Sequence, residues 1–299
     1  MKNAYFSEDD LSVLLSCSKW HLVSSIDSEL ASVKPDNEYL AWLTQNSDIH
    51  QHREVMLVLD GTSYFTLDGV TYQSRPGTIF LMDANEKHDL YYPPSGSSIR
   101  HLWFRIVNKT IFTSTPCGRT TRKSQGNNDF NYTFSGYNHA GLSFINAWDE
   151  LLANEQLDKK FLSISVKNAF GGLVLELCKA GYNKSLGMED RPTELHHQTV
   201  INAIIEHIRE TGGRNLDIGR LAYIAGYSKF HFAKVFKDVT GSSVLAFINL
   251  CRQEKFRELS AKGRNKKQIS EELGFSSPAA FSRWLKNTSS LSDFFPKAI

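Results

Sequence analysis

Three histidines and a glutamate in the first third of the chain have the types and spacing for chemistry. His50 and His52 are one residue apart, so on a strand they share a face, and Glu54 continues it. With His88 they offer imidazole nitrogens and a carboxylate, a set that can bind a divalent metal. The same groups can exchange hydrogen bonds with the hydroxyls of a small organic molecule. Trp42, Tyr64, Tyr72, Tyr91, Tyr92 and Trp103 lie nearby and could stack on a sugar ring, although rings of this kind also build barrel cores. Tyr64 and Trp103 join His50, His52, Glu54 and His88 as the candidate small-molecule set.

A second chemistry lies near the C-terminus, in Asn215 to Gly241. Leu216, Leu221, Ile224 and Ala225 give the first of two short helices its apolar stripe. Gly226 and Tyr227 make the turn, and Ser228 is placed to cap the second helix. There Phe232, Val235, Phe236 and Val239 recur at i, i+3, i+4, i+7 and face inward. Lys229, Phe230, Ala233, Lys234 and Lys237 are left outside. An apolar back and a basic front suit a helix lying in the DNA major groove. The layout repeats in Lys266 to Asn287, with Ile269 and Leu273, a turn at Gly274, and Ser277-Pro278 as cap and first helical residue. Phe281, Trp284 and Leu285 form the inner stripe; Ala279, Ser282, Arg283 and Lys286 lie outside. Ser243 to Ala261 reads as one longer bridging helix.

The histidines need a rigid sheet. Val55–Leu59, Tyr64–Leu67, Val70–Tyr72, Thr78–Met82 and Ile99–Val107 read as short strands, with hairpin signals at Asp60-Gly61 and Asp68-Gly69, and argue for a small barrel or sandwich. Residues 1–45 read as strands or an arm. Asn108–Asn138, which holds Arg119, Arg122 and Lys123, reads as a flexible polar connection. Helical periodicity returns at Leu142–Leu152 and Phe161–Cys178. Asn183–Pro192 has a linker's composition, and an amphipathic helix follows with Val200, Ile201, Ile204, Ile205 and Ile208.

The formal net charge of +2 hides an asymmetry. From Arg191 onward seventeen basic residues face ten acidic ones, against seventeen and twenty-two before it, which points to nucleic acid at one end only. Cys17, Cys117, Cys178 and Cys251 show no paired spacing, so reduced thiols in cytosol are expected rather than disulfides or zinc. The acidic N-terminus shows no signal peptide, and no apolar run approaches a membrane span. Neither a phosphate-binding glycine loop nor a nucleophile elbow or catalytic dyad stands out, so an enzyme is not expected, and no cofactor is implied.

The stretch LxxLAxxAGYSxxxxxxxFKxxTG, the bridging helix with Arg252, and GFSSxxxFSRxxK together resemble the DNA-binding domain of the AraC/XylS family of bacterial transcription regulators over Thr199 to Pro296. The ending Thr288-Ser289-Ser290-Leu291-Ser292 departs from the family pattern, as do Lys266 and Ser270. His50, His52, Glu54 and Gly61, then Gly69, Pro76, Gly77 and His88, resemble the cupin barrel that forms the sensor half of many such regulators; Thr78 and Ile79 stand where a further histidine is expected.

The resemblance implies an α+β chain: a cupin-like β-barrel with a helical extension, then an all-α domain with two helix-turn-helix units. The divisions are 1–140 for effector binding, 141–182 for a helical dimerisation region, 183–198 for a linker and 199–299 for DNA binding. Base contacts carry over to Phe230, Ala233 and Lys234, and to Pro278, Ala279 and Arg283; phosphate contacts fall to Lys229, His231, Lys237 and Lys286. Ser228, Ser276, Ser277 and Ser282 complete the DNA-binding set. The implied partners are promoter DNA, a small effector, RNA polymerase and a second copy of the chain. The alternative is a metal-dependent cupin enzyme with an accessory helical domain.

Overall fold

The computed structural model describes residues 6–89, 99–114, 131–134, 138–185 and 194–288. The chain divides into two units, Met1–Arg191 and Pro192–Ile299.

Residues 1–45, read as strands or an arm, hold a strand with helices on either side of it. Ser7 Oγ accepts from Asp10 N at 3.1 Å while the Asp10 carboxylate accepts from Ser7 N at 2.8 Å, a reciprocal cap that starts helix α1 (Glu8–Leu14). Strand β1 (His21–Val23) follows, then helix α2 (Asn37–Leu43), capped by Asp36. Nine further strands come next: β2 (Ser47–Asp48), β3 (Arg53–Asp60), β4 (Ser63–Leu67), β5 (Val70–Ser74), β6 (Thr78–Met82), β7 (His88–Asp89), β8 (Arg100–Val107), β9 (Thr110–Ser114) and β10 (Asn131–Phe134).

They form a six-stranded sheet in the order β1-β6-β3-β8-β9-β10 and a four-stranded sheet in the order β2-β7-β4-β5. The Asp68-Gly69 signal holds: both residues have positive φ and join β4 to β5 in a two-residue hairpin. Asp60-Gly61 does not make a hairpin. β3 pairs with β6 and β8, so this turn carries the chain from one sheet to the other. The expected polar connection after residue 107 is also corrected: the chain turns at Asn108 into β9, and β10 pairs with it. Tyr91, Tyr92, Cys117, Arg119, Arg122 and Lys123 lie outside the described residues.

Alternation along β3 explains its nearly continuous apolar run. Val55, Leu57 and Leu59 face helices α3 (His139–Ala153) and α4 (Lys159–Ser185), while Met56 and Val58 face inward among Phe65, Leu67, Phe80, Met82 and Trp103. Both sheets contribute to that interior, giving the cupin-like architecture. By length and composition alone, Lys159–Asn183 of α4 could cross a membrane, contrary to the reading that no run approaches that length. Its Leu162, Val166, Phe170, Leu173, Val174 and Leu177 are instead buried in the core shared with the sheet.

The second unit is helical: α5 (Glu194–Thr211), α6 (Ile218–Ile224), α7 (Lys229–Thr240), α8 (Val244–Ala261), α9 (Lys266–Glu272) and α10 (Pro278–Asn287). α4 runs to Ser185 and α5 begins at Glu194, so helix occupies both ends of the segment read as linker. Leu216 precedes α6, whose N-cap is Asp217.

Candidate functional site

The chain just before β3 brings His50 and His52 onto Glu54. Their rings stack at 3.9 Å between centroids, and His88, on β7, meets His50 edge-on at 4.7 Å. His50 Nε2 lies 3.2 Å from one Glu54 oxygen, and His88 Nε2 lies 3.9 Å from the same atom. His52 Nε2 lies 3.1 Å from the other oxygen. Arg105, which pairs with Glu54 in the β3–β8 register, places Nε 3.6 Å from that second oxygen. Burial alone would raise the Glu54 pKa, but the charge and hydrogen bonds of His50, with those of His52, hold it well below the usual carboxylate range. Burial drives His52 down to about 4. It also lowers His88, although Glu54 opposes the shift. His50 rises because Glu54 outweighs its burial.

The ligand atoms of His50, Glu54 and His88 lie within 4.8 Å of one another, close enough to converge on one ion. The donor set fits only in part. The Glu54 carboxylate already faces three imidazoles and a guanidinium, so a dication there would meet Arg105 as a neighbouring positive charge.

Two of the site's polar residues escape sequence reading. Arg105 and His101 alternate with Trp103 on β8, and both are buried. His101, pushed down to about 3 by burial and then by Arg105, packs edge-on to Trp103 at 5.6 Å. Their signal is alternation with Trp103 along an otherwise apolar strand, which the sequence shows; what they meet follows only once β8 is paired with β3. Trp103 therefore shares the interior face, within the apolar part. Tyr64 does not join it. Phe65 and Leu67 take the inward positions on β4, so Tyr64 turns outward to Tyr39 at 5.2 Å, beside the buried network of Tyr39, Thr66 and Asp89.

In the second unit the two turns are built alike. Gly226 and Gly274 have φ of 69° and 73°. Tyr227 N donates to Ala222 O at 2.9 Å, and Phe275 N to Ser270 O at 3.0 Å. Ser228 caps α7 by accepting from His231 N, and Ser277 caps α10 by accepting from Ala280 N, with Pro278 at the first helical position. Phe232, Val235, Phe236 and Phe281 are buried, and Trp284 and Leu285 half-buried. Ser228, Lys229, Phe230, His231, Lys234 and Lys237 are exposed on the first side, with Ala233 half-buried. On the second, Ser276, Pro278, Ala279, Ser282, Arg283 and Lys286 are exposed, with Ser277 half-buried. Phe230 is 89% exposed, an aromatic ring with no core to occupy. The cysteines Cys17, Cys178 and Cys251 are free, and burial raises Cys178 to about 11.

Residues 36–128 match the model of an AraC-like ligand binding domain, and residues 221–292 that of a helix-turn-helix domain, together more than half of the chain. Among solved structures, the chain is similar to ToxT from Vibrio cholerae. Wild-type ToxT of strain SCE256, bound to an unsaturated fatty acid, is 17% identical, with 81% of this chain and 85% of that chain covered and a TM-score of 0.22. ToxT of strain O395, bound to (E)-4-(8-methylnaphthalen-1-yl)but-3-enoic acid, is 14% identical, with 84% and 93% covered and a TM-score of 0.24. Superpositions that loose guide no residue assignment. No curated protein matches the chain.

Proposed function

We propose that this chain, which belongs to the AraC/XylS family of bacterial transcription regulators, is a cytosolic activator whose DNA binding is modulated by a small effector held in its first unit. One observation carries the DNA-binding half. Two capped helices, α7 and α10, present outward faces bearing Lys229, Lys234, Lys237, Arg283 and Lys286, none of which the helical core uses. Phe230, Ala233 and Lys234 on α7, and Pro278, Ala279 and Arg283 on α10, meet bases; Lys229 and His231 meet phosphates at the N-terminus of α7, whose amides help, and Lys237 and Lys286 meet them from the last turns of their helices. The test is selection of bound sequences from a randomised duplex library, followed by titration on selected and scrambled duplexes at several salt concentrations. Equal affinity for both at every salt concentration defeats the reading.

The effector site is the polar end of the cupin-like interior, where His50, His52, His88 and Arg105 surround Glu54. Its hydrogen-bonding groups suit the hydroxyls of a sugar or the carboxylate of an aromatic acid, and a thermal-shift screen of both classes tests it. The convergence of His50, Glu54 and His88 favours one rival, a metal-dependent cupin enzyme; metal analysis of the purified chain beside the DNA titrations separates the two. A second copy docks through residues 142–180, where Phe161, Ile164 and Leu175 leave apolar side chains exposed on α4. Light scattering that finds only the 33.8 kDa chain, with and without DNA, rejects the dimer. RNA polymerase is the partner through which bound protein activates, and transcription reconstituted from a promoter carrying the selected site tests that step.

A further inference from the structure

The joint between the two helix-turn-helix units carries an inference that rests on the DNA-binding reading and deepens it. Arg252, half-buried on α8, reaches in two directions. Its Nη2 and Nε donate to the carbonyl of Gly213, at 2.8 and 3.1 Å, in the turn that leads from α5 into α6 of the first helix-turn-helix. Its guanidinium lies over the ring of Phe275, 5.6 Å from the centroid, in the turn between α9 and α10 of the second.

The surroundings leave little slack. Gly213 has φ of +72°, and a Cβ there would sit 2.9 Å from Ile248 Cγ2 and 3.1 Å from Arg252 Cγ, so the turn before α6 lies directly on α8. Gly274 has φ of +73°, and a Cβ there would sit 2.6 Å from Arg214 Cγ, so the two turns also press on each other. Trp284 Nε1, on α10, donates to Asn249 Oδ1 on α8 at 3.4 Å.

We propose that Arg252 is a positioning residue that fixes the separation of α7 and α10, and with it the spacing between the two DNA segments the protein accepts. The guanidinium is the one group here that grips the backbone of one turn and the aromatic ring of the other. One inserted base pair moves the second segment by about 3.4 Å along the duplex and turns it by about 35°. A joint held by hydrogen bonds of 2.8 and 3.1 Å does not stretch that far, so the DNA must deform instead.

The test uses the full chain and the duplex it selects from a randomised library, with zero, one or two base pairs inserted between the two protected segments. Wild type is expected to lose about tenfold in affinity per inserted pair, which corresponds to about 1.4 kcal/mol. Arg252→Gln, with helical content checked by circular dichroism, is expected to show a spacing penalty of about threefold or less. Arg252→Lys retains a donor for Gly213 but not the planar stack on Phe275, and falls between; it carries the test where the glutamine variant fails to fold. A uniform loss on every duplex with the wild-type spacing penalty intact makes Arg252 merely structural and overturns the proposal, as does a wild type indifferent to spacing. A wild type that selects no sequence removes the DNA-binding reading as well, and so is distinguished from either result.

Discussion

The cluster around Glu54 and the outward faces of α7 and α10 both gather charge, under opposite constraints. In the first, Glu54, Arg105, His52 and His88 are buried, so each charge must be balanced by protein groups within a few ångströms. In the second, Lys229, Lys234, Lys237 and Arg283 are solvated, and the fold asks little of them beyond staying outside. Buried charge is therefore coupled to stability, whereas exposed charge is free to serve a partner. Substitutions should separate along that line: the first region changes the folded state, the second changes only what binds.

The sharpest break comes at Glu54. Glu54→Gln leaves the Arg105 guanidinium buried beside a neutral amide, and removing one partner of a buried pair costs about 3–5 kcal/mol. Hydrogen exchange read peptide by peptide should show β3, β6 and β8 losing protection while α5 to α10 stay unchanged. Equal protection in variant and wild type would mean that the cluster is less coupled to the fold than its burial implies.

Acid should act on the same cluster with a somewhat smaller effect. His52 titrates at about 4 when folded, against 6.5 for the free side chain. Between those values the unfolded chain takes up a proton that the folded chain refuses, so stability falls as the pH falls through that window. His52 alone supplies a loss on the order of 3 kcal/mol. His88 and His101, also lowered, act in the same direction, while His50, raised by Glu54, opposes them; Glu54 itself adds its loss only below its ordinary value of 4.5. Thermal melts from pH 7 to pH 4 should show the first unit destabilised; His52→Gln should flatten that slope.

What the sequence disclosed follows the same division. Ser277-Pro278 and Asp68-Gly69 act within a few residues, and local chemistry was enough to place the start of α10 and the β4–β5 hairpin. Ser7 and Asp10 carry an equally local cap that was passed over because the flanking apolar clusters resembled strands. Asp60-Gly61 misled because the partners of β3 are chosen by long-range pairing, about which a turn signal is silent. Tyr64 was assigned inward for want of a register, since one position along β4 exchanges its faces. Arg105 is not legible as a site residue because its role depends on the distant Glu54, brought alongside only by the β3–β8 ladder, which sets His101 opposite Val58 instead. The spacing of His50, His52 and Glu54 and the two helix faces are legible, because each is set by residues close together in the chain.

In the solvated region Arg283 shows whether exposed charge is free of the fold. Arg283, on the outward face of α10, is the side chain there whose planar fork can meet guanine O6 and N7 together. Arg283→Ala should cost about 1–3 kcal/mol on the selected duplex and relax preference at one base pair. Its melting curve should match wild type, since exposed substitutions rarely move stability by more than about 0.5 kcal/mol. An equal loss of affinity on selected and scrambled duplexes would assign Arg283 to phosphate instead.

Lys237 offers the smallest effect and the finest test. It lies in the last turn of α7, where its ammonium also faces the negative end of the helix dipole. It can meet the DNA backbone as a point charge but cannot read a base edge bidentately. Each phosphate neutralised releases condensed counterions, so removing one such contact should lower the slope of log affinity against log salt by about one. Lys237→Ala is therefore expected to weaken selected and scrambled duplexes by the same factor, with the gap from wild type closing as salt rises. Losing the dipole interaction costs the helix only about 0.3–1 kcal/mol, and at every salt concentration used the folded population should stay near complete. A loss confined to the selected duplex would mean that α7 sits deeper in the groove, with Lys237 at a base. A salt slope equal to that of wild type would mean that this face of α7 does not touch the backbone, and that the grip of the first helix-turn-helix comes from Lys229 and His231 at the helix N-terminus.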